Sequence, residues 1–259
     1  MYTPLQLREI FHIEFLRWFG RSARGGRYAV KGGANLRFFY KSVRYSEDMD
    51  LDVDGITVFA LRDAVMKILL SGAFASGLKP FGVGSVVPPD MKSAKQTQTT
   101  QRFKVHLMTA SGEDLFTKVE FSRRGFTGGT EVQMIDDAIL RYYRVAPVIV
   151  SHYDASSAIR QKIAALAARS KVQARDVFDL HLLGTQHEAS DLEGRHMDPG
   201  MLTKALENVF AVEFDQFKDT VLAYLSEDDR ALYDSRAVWD DMKLKASGLI
   251  EGLRPSDVR

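Results

Sequence analysis

Residues 48–54 read DMDLDVD, so aspartate alternates with an apolar residue along the whole run. Alternation with a period of two is typical of a β-strand with one buried face. Met49, Leu51 and Val53 would then face the core, and the four aspartates would form a row with neighbours about 7 Å apart. Like charges in a row repel each other. The row is explained either by a solvated strand with an acidic outer face or by a divalent cation bound to the carboxylates.

The glycine pair Gly32-Gly33 favours the second explanation. It precedes an apolar, aromatic run, predicted as a helix to about Lys41. A glycine turn at a helix start lets backbone N–H groups approach a phosphate, and the helix N-terminus favours anions. A phosphate-binding turn, a connecting helix and paired aspartates on the next strand are expected where a metal-bound nucleoside triphosphate is handled.

Two stretches carry a family resemblance. Residues 31–37 read KGGANLR, and residues 44–50 read RYSEDMD. They resemble the K-G-G-[TS]-x-L-R and R-[FY]-S-E-D-[LI]-D motifs of the AbiEii/AbiGii (MenT-like) nucleotidyltransferase toxins, a branch of the DNA polymerase β-like superfamily. The resemblance implies that Asp48 and Asp50 are catalytic and bind Mg²⁺ or Mn²⁺. It also implies a set of nucleotide-binding residues: Lys31, Gly32, Gly33, Asn35 and Ser46.

One position departs from the motif. Ala34 stands where the family usually has Ser or Thr, whose hydroxyl would be expected to contact a terminal phosphate. Three readings stay open: phosphate contacts from the backbone alone, a contribution from the Asn35 amide, or weakened catalysis.

A second block lies more than a hundred residues further on. Residues 158–169 read AIRQKIAALAAR and residues 175–180 read RDVFDL, similar to the family's K-x-x-A-L-x-x-R and R-D-x-[FY]-D-L. Lys162 and Arg169 are seven apart and share a helix face, as do Asp176 and Asp179, three apart on a following helix. The residues alone favour a salt-bridge set between two helices. The resemblance implies instead that Lys162 and Arg169 bind the triphosphate, with Asp176 or Asp179 orienting Lys162 or the base.

The resemblance also implies a third carboxylate, which in this superfamily usually lies on a later strand beside the first. Residues 102–109 and 115–121 alternate and are joined by a glycine-containing turn, which predicts a β-hairpin. Lys118 and Glu120 share one face of the second strand. Glu120 is the candidate third catalytic and metal-binding acid, and an ordinary exposed Lys-Glu face is the alternative. Two ions would clamp an in-line displacement, and Glu120 or Asp52 would act on the attacking hydroxyl.

The acceptor is expected to be RNA, in particular tRNA, because the family implies it. The net charge is only +1, so no global basic field supports this, but basic residues cluster locally. The clusters are Arg21/Arg24/Arg27, Lys92/Lys95/Arg102/Lys104, Arg123/Arg124 and Arg141/Arg144. The resemblance also implies a toxin of a phage-defence toxin–antitoxin pair, with a cognate antitoxin. The alternatives are transfer to a protein or small molecule, and a catalytically weak nucleotide-binding module.

The predicted fold class is α+β. A mixed sheet flanked by helices would form a catalytic domain over residues 1–150, and a helical bundle over 151–259 would complete the nucleotide cleft. Residues 71–101 are predicted to be an irregular loop. The chain has no cysteine, which excludes disulfides and thiolate metal sites and fits a cytoplasmic protein. No apolar run approaches the roughly 20 residues of a membrane span.

Overall fold

A computed structural model of the chain describes residues 2–22, 27–189 and 197–254. The chain forms two compact units. The first comprises Met1–Lys41 and Tyr45–Tyr153, and the second comprises Ser42–Arg44 and Asp154–Arg259.

The described residues of the first unit form a mixed sheet with helices. The helices are α1 Pro4–Ser22, α2 Gly32–Phe39, α3 Val58–Leu69, α4 Gly72–Leu78 and α5 Asp137–Tyr143. The strands are β1 Arg27–Lys31, β2 Asp48–Asp54, β3 Val83–Val87, β4 Thr100–Thr109, β5 Asp114–Ser122, β6 Thr130–Met134 and β7 Ile149–Tyr153. Their order in the sheet is β3-β4-β5-β2-β1-β7-β6. β2 is antiparallel to β1 and parallel to β5, which places the acidic strand between them.

The acidic strand β2 forms because its alternating apolar residues are buried on one face of the sheet. Met49, Leu51 and Val53 are buried, at 0%, 0% and 2% exposure. They join a core to which α1 contributes an aromatic row that includes Phe15 and Phe19. Burial of each such side chain is worth about 1.5–3 kcal/mol, so a one-residue slip of β2 is strongly disfavoured.

The segment predicted to be an irregular loop, residues 71–101, has no helix or strand over residues 88–99, but the prediction is wrong for residues 71–87. Residues 71–87 contain α4, a 3-10 turn over Lys79–Phe81 and β3. The Ser71 hydroxyl accepts a hydrogen bond from the N–H of Phe74 and begins α4. β3 is an edge strand with largely exposed residues, so its sequence carries no apolar alternation. The same reason explains why β6, whose residues are all exposed, was not predicted.

In its described residues, the second unit is helical. Its helices are α6 Ala155–Ala168, α7 Ala174–Gly184, α8 Pro199–Phe210, α9 Phe214–Thr220, α10 Glu227–Tyr233 and α11 Arg236–Gly252. The Trp239 ring of α11 stacks on Phe217 of α9 at a centroid distance of 4.4 Å. The predicted fold class, a mixed sheet with helices followed by a helical region, is confirmed. Among the described helices, none is long and apolar enough to span a bilayer.

Candidate active site

The acids singled out in the sequence meet on one face of the sheet. The parallel register of β2 and β5 places Asp48 opposite Lys118 and Asp50 opposite Glu120. Directly opposed residues of neighbouring strands project from the same face and lie close together. The structure therefore brings Asp48, Asp50 and Glu120 together, with the ammonium group of Lys118 among them.

Asp48 and Asp50, the acid pair of β2, differ in their partners. Lys118 Nζ lies 2.9 Å from Asp48 Oδ2, whereas Asp48 Oδ1 is buried and has no hydrogen-bond partner among the described residues. The Asp50 side chain forms no hydrogen bond or ion pair with any described residue. Burial raises the pKa of the Asp50 carboxyl; Lys118 and Lys31 oppose this effect, and Glu120 and Asp48 add to it. The carboxylate pair is thus incompletely compensated by the protein itself.

Glu120 has a protein partner. Arg102 Nε donates a hydrogen bond of 2.6 Å to Glu120 Oε2, and Lys118 Nζ lies 4.0 Å from the same oxygen. In the described ranges, no group of three or more Asp, Glu, His or Cys side chains is arranged to hold a metal ion. The role of Glu120 as a third metal ligand stays a prediction, and it would require Glu120 to exchange its hydrogen bond with Arg102.

The glycine turn lies beside Asp50. α2 begins at Gly32, directly after β1, and Lys31 at the end of β1 is opposite Asp50 in the sheet. Gly32 has φ +66°, a left-handed conformation that favours glycine. A Cβ atom added at Gly32 would lie 3.5 Å from Asp50 Oδ2. Backbone conformation and close approach both explain glycine at this position, and the N-terminus of α2 is adjacent to the acid pair.

Asp52 has a different role from its neighbours on the strand. It is 2% exposed, and Lys31 Nζ lies 2.6 Å from its Oδ1. The hydroxyl of Tyr153, on β7, donates a hydrogen bond of 2.6 Å to the other oxygen. Burial and this hydrogen bond raise the pKa of Tyr153 to about 12. Asp52 is therefore engaged by two partners and holds Lys31 next to the glycine turn.

Asp54 fits the solvated-strand explanation. It is exposed and pairs with Arg27 at 2.7 Å. Its Oδ1 also accepts a hydrogen bond from the N–H of Gly55, where the strand ends. The alternation in the sequence thus combines three environments: a candidate site at Asp48 and Asp50, a buried ion pair at Asp52 and solvent at Asp54.

The side chains of Asn35 and Ser46 bind other parts of the protein. Asn35 is buried; its Nδ2 donates to the carbonyl of Tyr153 at 3.0 Å, and its Oδ1 lies 3.0 Å from His152 Nδ1. Its amide is directed into the protein, which differs from the expected phosphate contact. The Ser46 hydroxyl donates to the carbonyl of Asp48 at 2.7 Å and shapes the turn before β2. Ala34 is buried at 1% exposure.

The second sequence block forms an ion network within the second unit. Lys162 of α6 pairs with both acids of α7, at 3.0 Å from Asp176 and 2.5 Å from Asp179. Arg169 lies 3.1 Å from Asp176, and the Arg44 guanidinium lies 3.0 Å from Asp179. Burial alone would lower the pKa of Lys162, but Asp179 and Asp176 raise it above its usual value. Arg44 and Lys162 lower the pKa of Asp179 despite its burial.

This network matches the salt-bridge geometry that the residues alone favoured. Three cations surround two carboxylates, so one positive charge is uncompensated within the cluster. Arg169 has the most exposed side chain of the five, at 38%.

The basic clusters identified in the sequence differ in whether acidic side chains neutralise their charges. Arg27 and Arg141 form ion pairs with Asp54 and Asp137. Within the described residues, Lys95 and Lys104 are exposed and form no ion pair. Arg24 lies outside the described residues.

Sequence reasoning missed three contributors. Tyr153 has no signal in the sequence, because nothing in its neighbourhood resembles a motif and its role depends on β7 lying beside β1. Arg44 belongs to the recognised motif, which signalled its importance without identifying Asp179 as its partner. Arg102 could have been linked to Glu120 by the hairpin register, in which the two residues are directly opposed.

The acid pair fits a hard divalent cation. Asp48 Oδ1 is a buried oxygen without a donor among the described residues, and Asp50 is a partly buried carboxylate that makes no ion pair with them. Carboxylate oxygens are the donors that Mg²⁺ and Mn²⁺ prefer. Mg²⁺ is typically bound by one or two carboxylates together with substrate phosphates and water, so two protein ligands suffice.

A sequence-family comparison adds independent information. Residues 14–249 match the family described as "Nucleotidyl transferase AbiEii toxin, Type IV TA system". A comparison with curated protein sequences gives no match.

Solved structures share the fold at low sequence identity. A putative nucleotidyltransferase from H. pylori is 18% identical with a TM-score of 0.59, covering 97% of this chain and 95% of its own. JHP933 from Helicobacter pylori is 17% identical with a TM-score of 0.58, covering 97% and 92%. MenT4, a nucleotidyltransferase toxin from Mycobacterium tuberculosis H37Rv, is 18% identical with a TM-score of 0.58, covering 97% and 85%. These likenesses show a common fold.

Proposed function

The chain belongs to the AbiEii nucleotidyltransferase toxins of type IV toxin–antitoxin systems, and on that premise we propose that it transfers a nucleoside monophosphate from an NTP to RNA, in particular tRNA. Its activity class is NTP-dependent nucleotidyl transfer, and its family implies a cognate antitoxin. The proposed metal is Mg²⁺ or Mn²⁺, and the proposed location is the cytoplasm.

The observation that carries the proposal is the close approach of the glycine turn to Asp50. The N-terminus of α2 begins beside Asp50, with an added Cβ at Gly32 falling 3.5 Å from the carboxylate. A helix N-terminus attracts phosphate, and the carboxylates attract a divalent cation. A metal-bound triphosphate unites these two ligands in one molecule.

We assign roles to residues of the first unit on this basis. Asp48 and Asp50 would hold the metal, which neutralises phosphate charge and stabilises the in-line displacement. The backbone N–H groups at Gly32 and Gly33 would bind the phosphates. The Lys31 ammonium, held by the buried Asp52, would add positive charge on the same side.

The proposed reaction forms one bond and breaks one. The acceptor hydroxyl oxygen attacks the α-phosphorus, the bond from that phosphorus to the bridging oxygen breaks, and pyrophosphate leaves. Glu120 would accept the hydroxyl proton from its position opposite Asp50. Asp52 is the weaker choice for this role because both of its oxygens are engaged. A role for Glu120 as a third metal ligand would require it to exchange its contact with Arg102.

The network of the second unit is proposed to bind phosphate through its uncompensated charge. Arg169 is the best placed of its cations, because its side chain is the most exposed and contacts one acid only. Lys162 is held by two buried acids, and its proposed contribution is an electrostatic one, with Asp176 and Asp179 fixing its position.

The test is a transfer assay with each of the four α-³²P-labelled nucleoside triphosphates, Mg²⁺ and total tRNA. Label that is removed by ribonuclease and survives protease supports the RNA acceptor. In a parallel reaction with cell lysate, label removed by protease and resistant to ribonuclease identifies a protein acceptor and contradicts the proposal. Mg²⁺-dependent NTP binding without any labelled product identifies a binding module.

A further inference from the structure

A cavity of about 470 Å³ lies against the outer strands β3 and β4 of the sheet. Its lining includes Pro88 and Pro89 from the segment after β3, Lys95 from the same segment, and Arg102, Lys104 and His106 from β4. The segment is attached to β4, because the N–H of Arg102 donates to the carbonyl of Lys95 at 2.8 Å. Its volume lies within the roughly 300–1,000 Å³ typical of ligand sites.

The charge of this cavity is predominantly positive. Lys95 and Lys104 are exposed and make no ion pair within the described residues. Arg102 binds Glu120 through Nε, which leaves its terminal nitrogens for another acceptor. The lining carboxylate is that of Asp90, whose Oδ1 accepts a hydrogen bond from the N–H of Lys92. The cavity therefore offers an excess of cationic donors, which suits a polyanion.

Sheet register fixes the distance from this cavity to the acid pair. Arg102 is opposite Glu120, and Glu120 is opposite Asp50, so the three residues form one row across adjacent strands. Strands are spaced about 4.8 Å apart, which places the backbone of Arg102 roughly 10 Å from that of Asp50.

The cavity and the glycine turn lie on opposite sides of the acids. In the strand order β4-β5-β2-β1, the cavity is at β4 and the glycine turn follows β1. The turn is the proposed site of the NTP phosphates, so a second polyanion approaching from β4 would meet the acids from the other side. In-line displacement requires the attacking and leaving oxygens to lie on opposite sides of phosphorus, and this arrangement is compatible with that requirement.

We propose that this cavity binds the sugar–phosphate backbone of the acceptor, a single-stranded RNA 3′ end, one or two nucleotides from the reacting hydroxyl. The inference rests on the proposed function. Lys95, Lys104 and the terminal nitrogens of Arg102 bind the phosphates, and the rings of Pro88 and Pro89 offer an apolar wall for a base. Arg102 contacts both the acceptor and Glu120, which couples acceptor binding to the catalytic carboxylate.

The test compares two double variants that each remove two positive charges. Lys95→Gln/Lys104→Gln changes the cavity, and Lys67→Gln/Lys79→Gln changes two exposed lysines that do not line it. Binding of a fluorescein-labelled single-stranded RNA is measured by anisotropy across a salt series. NTP binding is measured separately for each protein, and labelling of RNA is measured as in the transfer assay.

The cavity variant is expected to bind RNA about tenfold more weakly than the control variant. The slope of log affinity against log salt should decrease by about 1.4, because each phosphate contact with a single strand contributes about 0.7. NTP affinity should match that of the wild type.

Equal RNA affinity and equal salt slope in the two variants would overturn the inference. If wild type labels RNA and the cavity variant labels it equally well, the cavity assignment fails while the proposed function stands. If wild type neither binds nor labels RNA, both fail.

Discussion

The ammonium group of Lys118 lies 2.9 Å from one carboxylate oxygen of Asp48, and the other oxygen of Asp48 is buried without a donor in the described residues. The ammonium group of Lys118 therefore occupies part of the proposed divalent-cation site. The two cations compete for the same carboxylate, so the lysine should weaken metal binding in the absence of nucleotide.

Replacing Lys118 with Met should therefore tighten Mn²⁺ binding. A unit charge removed at this distance changes ion affinity by an amount that we expect to be about tenfold, or about 1.4 kcal/mol. Mn²⁺ affinity is measured by calorimetry, with Lys67→Met, on the surface of α3, as the control. Unchanged or weaker binding in Lys118→Met would show that the lysine does not compete with the metal.

Tyr153→Phe should lower the free energy of unfolding by about 2 kcal/mol, because a hydrogen bond to a buried carboxylate is worth about 1.5–3 kcal/mol. The loss affects Asp52, which keeps its ion pair with Lys31, and also the N–H of Thr127, which donates to the same hydroxyl at 3.0 Å. Tyr40→Phe is the matched control, since its hydroxyl donates at 3.0 Å to a neutral carbonyl. Denaturant unfolding should show the larger loss for Tyr153→Phe, which removes the bonds to both Asp52 and Thr127. Equal losses in the two variants would argue against a charged acceptor at Asp52.

Lys162→Met should destabilise the protein by about 1.5–3 kcal/mol, the usual worth of a hydrogen bond between charged groups, because Arg169 and Arg44 still pair with the two acids. It removes the cation shared by Asp176 and Asp179, both at 0% exposure. Arg169→Gln, at a 38% exposed side chain, should cost less than about 1 kcal/mol. We expect Arg169→Gln to weaken NTP binding while remaining folded. A large loss of stability with unchanged NTP affinity in Arg169→Gln would assign the whole network to structure.

Stability should fall as the pH drops below the ordinary pKa of histidine. Burial, reinforced by Arg8, lowers the pKa of His12 from 6.5 to about 3 in the folded chain. Between these values the unfolded state binds a proton that the folded state excludes, so acid favours unfolding. The contribution is about 1.4 kcal/mol per pH unit within this window.

His12→Gln should flatten this dependence. The His12 ring contacts the Thr117 hydroxyl at 2.9 Å, and that hydroxyl donates to the carbonyl of Glu47, so His12 Nε2 is the donor in its contact. A glutamine amide preserves a donor without titrating. Unfolding free energies measured from pH 7 to pH 4 should converge for the two proteins at low pH. Parallel curves would mean that His12 is not the titrating group.

The sequence predicted the candidate site where acidic residues fall within a regular strand pattern. β2 was recognisable because Met49, Leu51 and Val53 alternate with acids, and β5 because Glu120 lies in an alternating run joined to β4 by a tight turn. To predict that Asp50 and Glu120 lie close together, it was enough to expect that β2 and β5 are neighbours in the sheet. The observed register shows that they are.

The remaining features depend on tertiary contacts, which neither the hydrophobic periodicity nor the sequence motifs encode. The four aspartates look equivalent in the sequence, yet Asp52 is buried because Tyr153 and Lys31 satisfy it, and these come from β7 and β1. The pairing of Glu120 with Arg102 is a choice of side-chain conformation. β6 escaped prediction because an exposed edge strand needs no apolar face.

The most direct measurement compares nucleotidyl transfer by wild type, Asp50→Asn and Asp54→Asn at equal protein and Mn²⁺ concentrations. Both substitutions remove one carboxylate from the same strand, but Asp50 lies beside the glycine turn, whereas Asp54 is exposed and paired with Arg27. Asp50→Asn should reduce the rate at least about 100-fold, and Asp54→Asn should transfer at nearly the wild-type rate. Equal activity of Asp50→Asn and Asp54→Asn would contradict the assignment of the active site to the acid pair of β2.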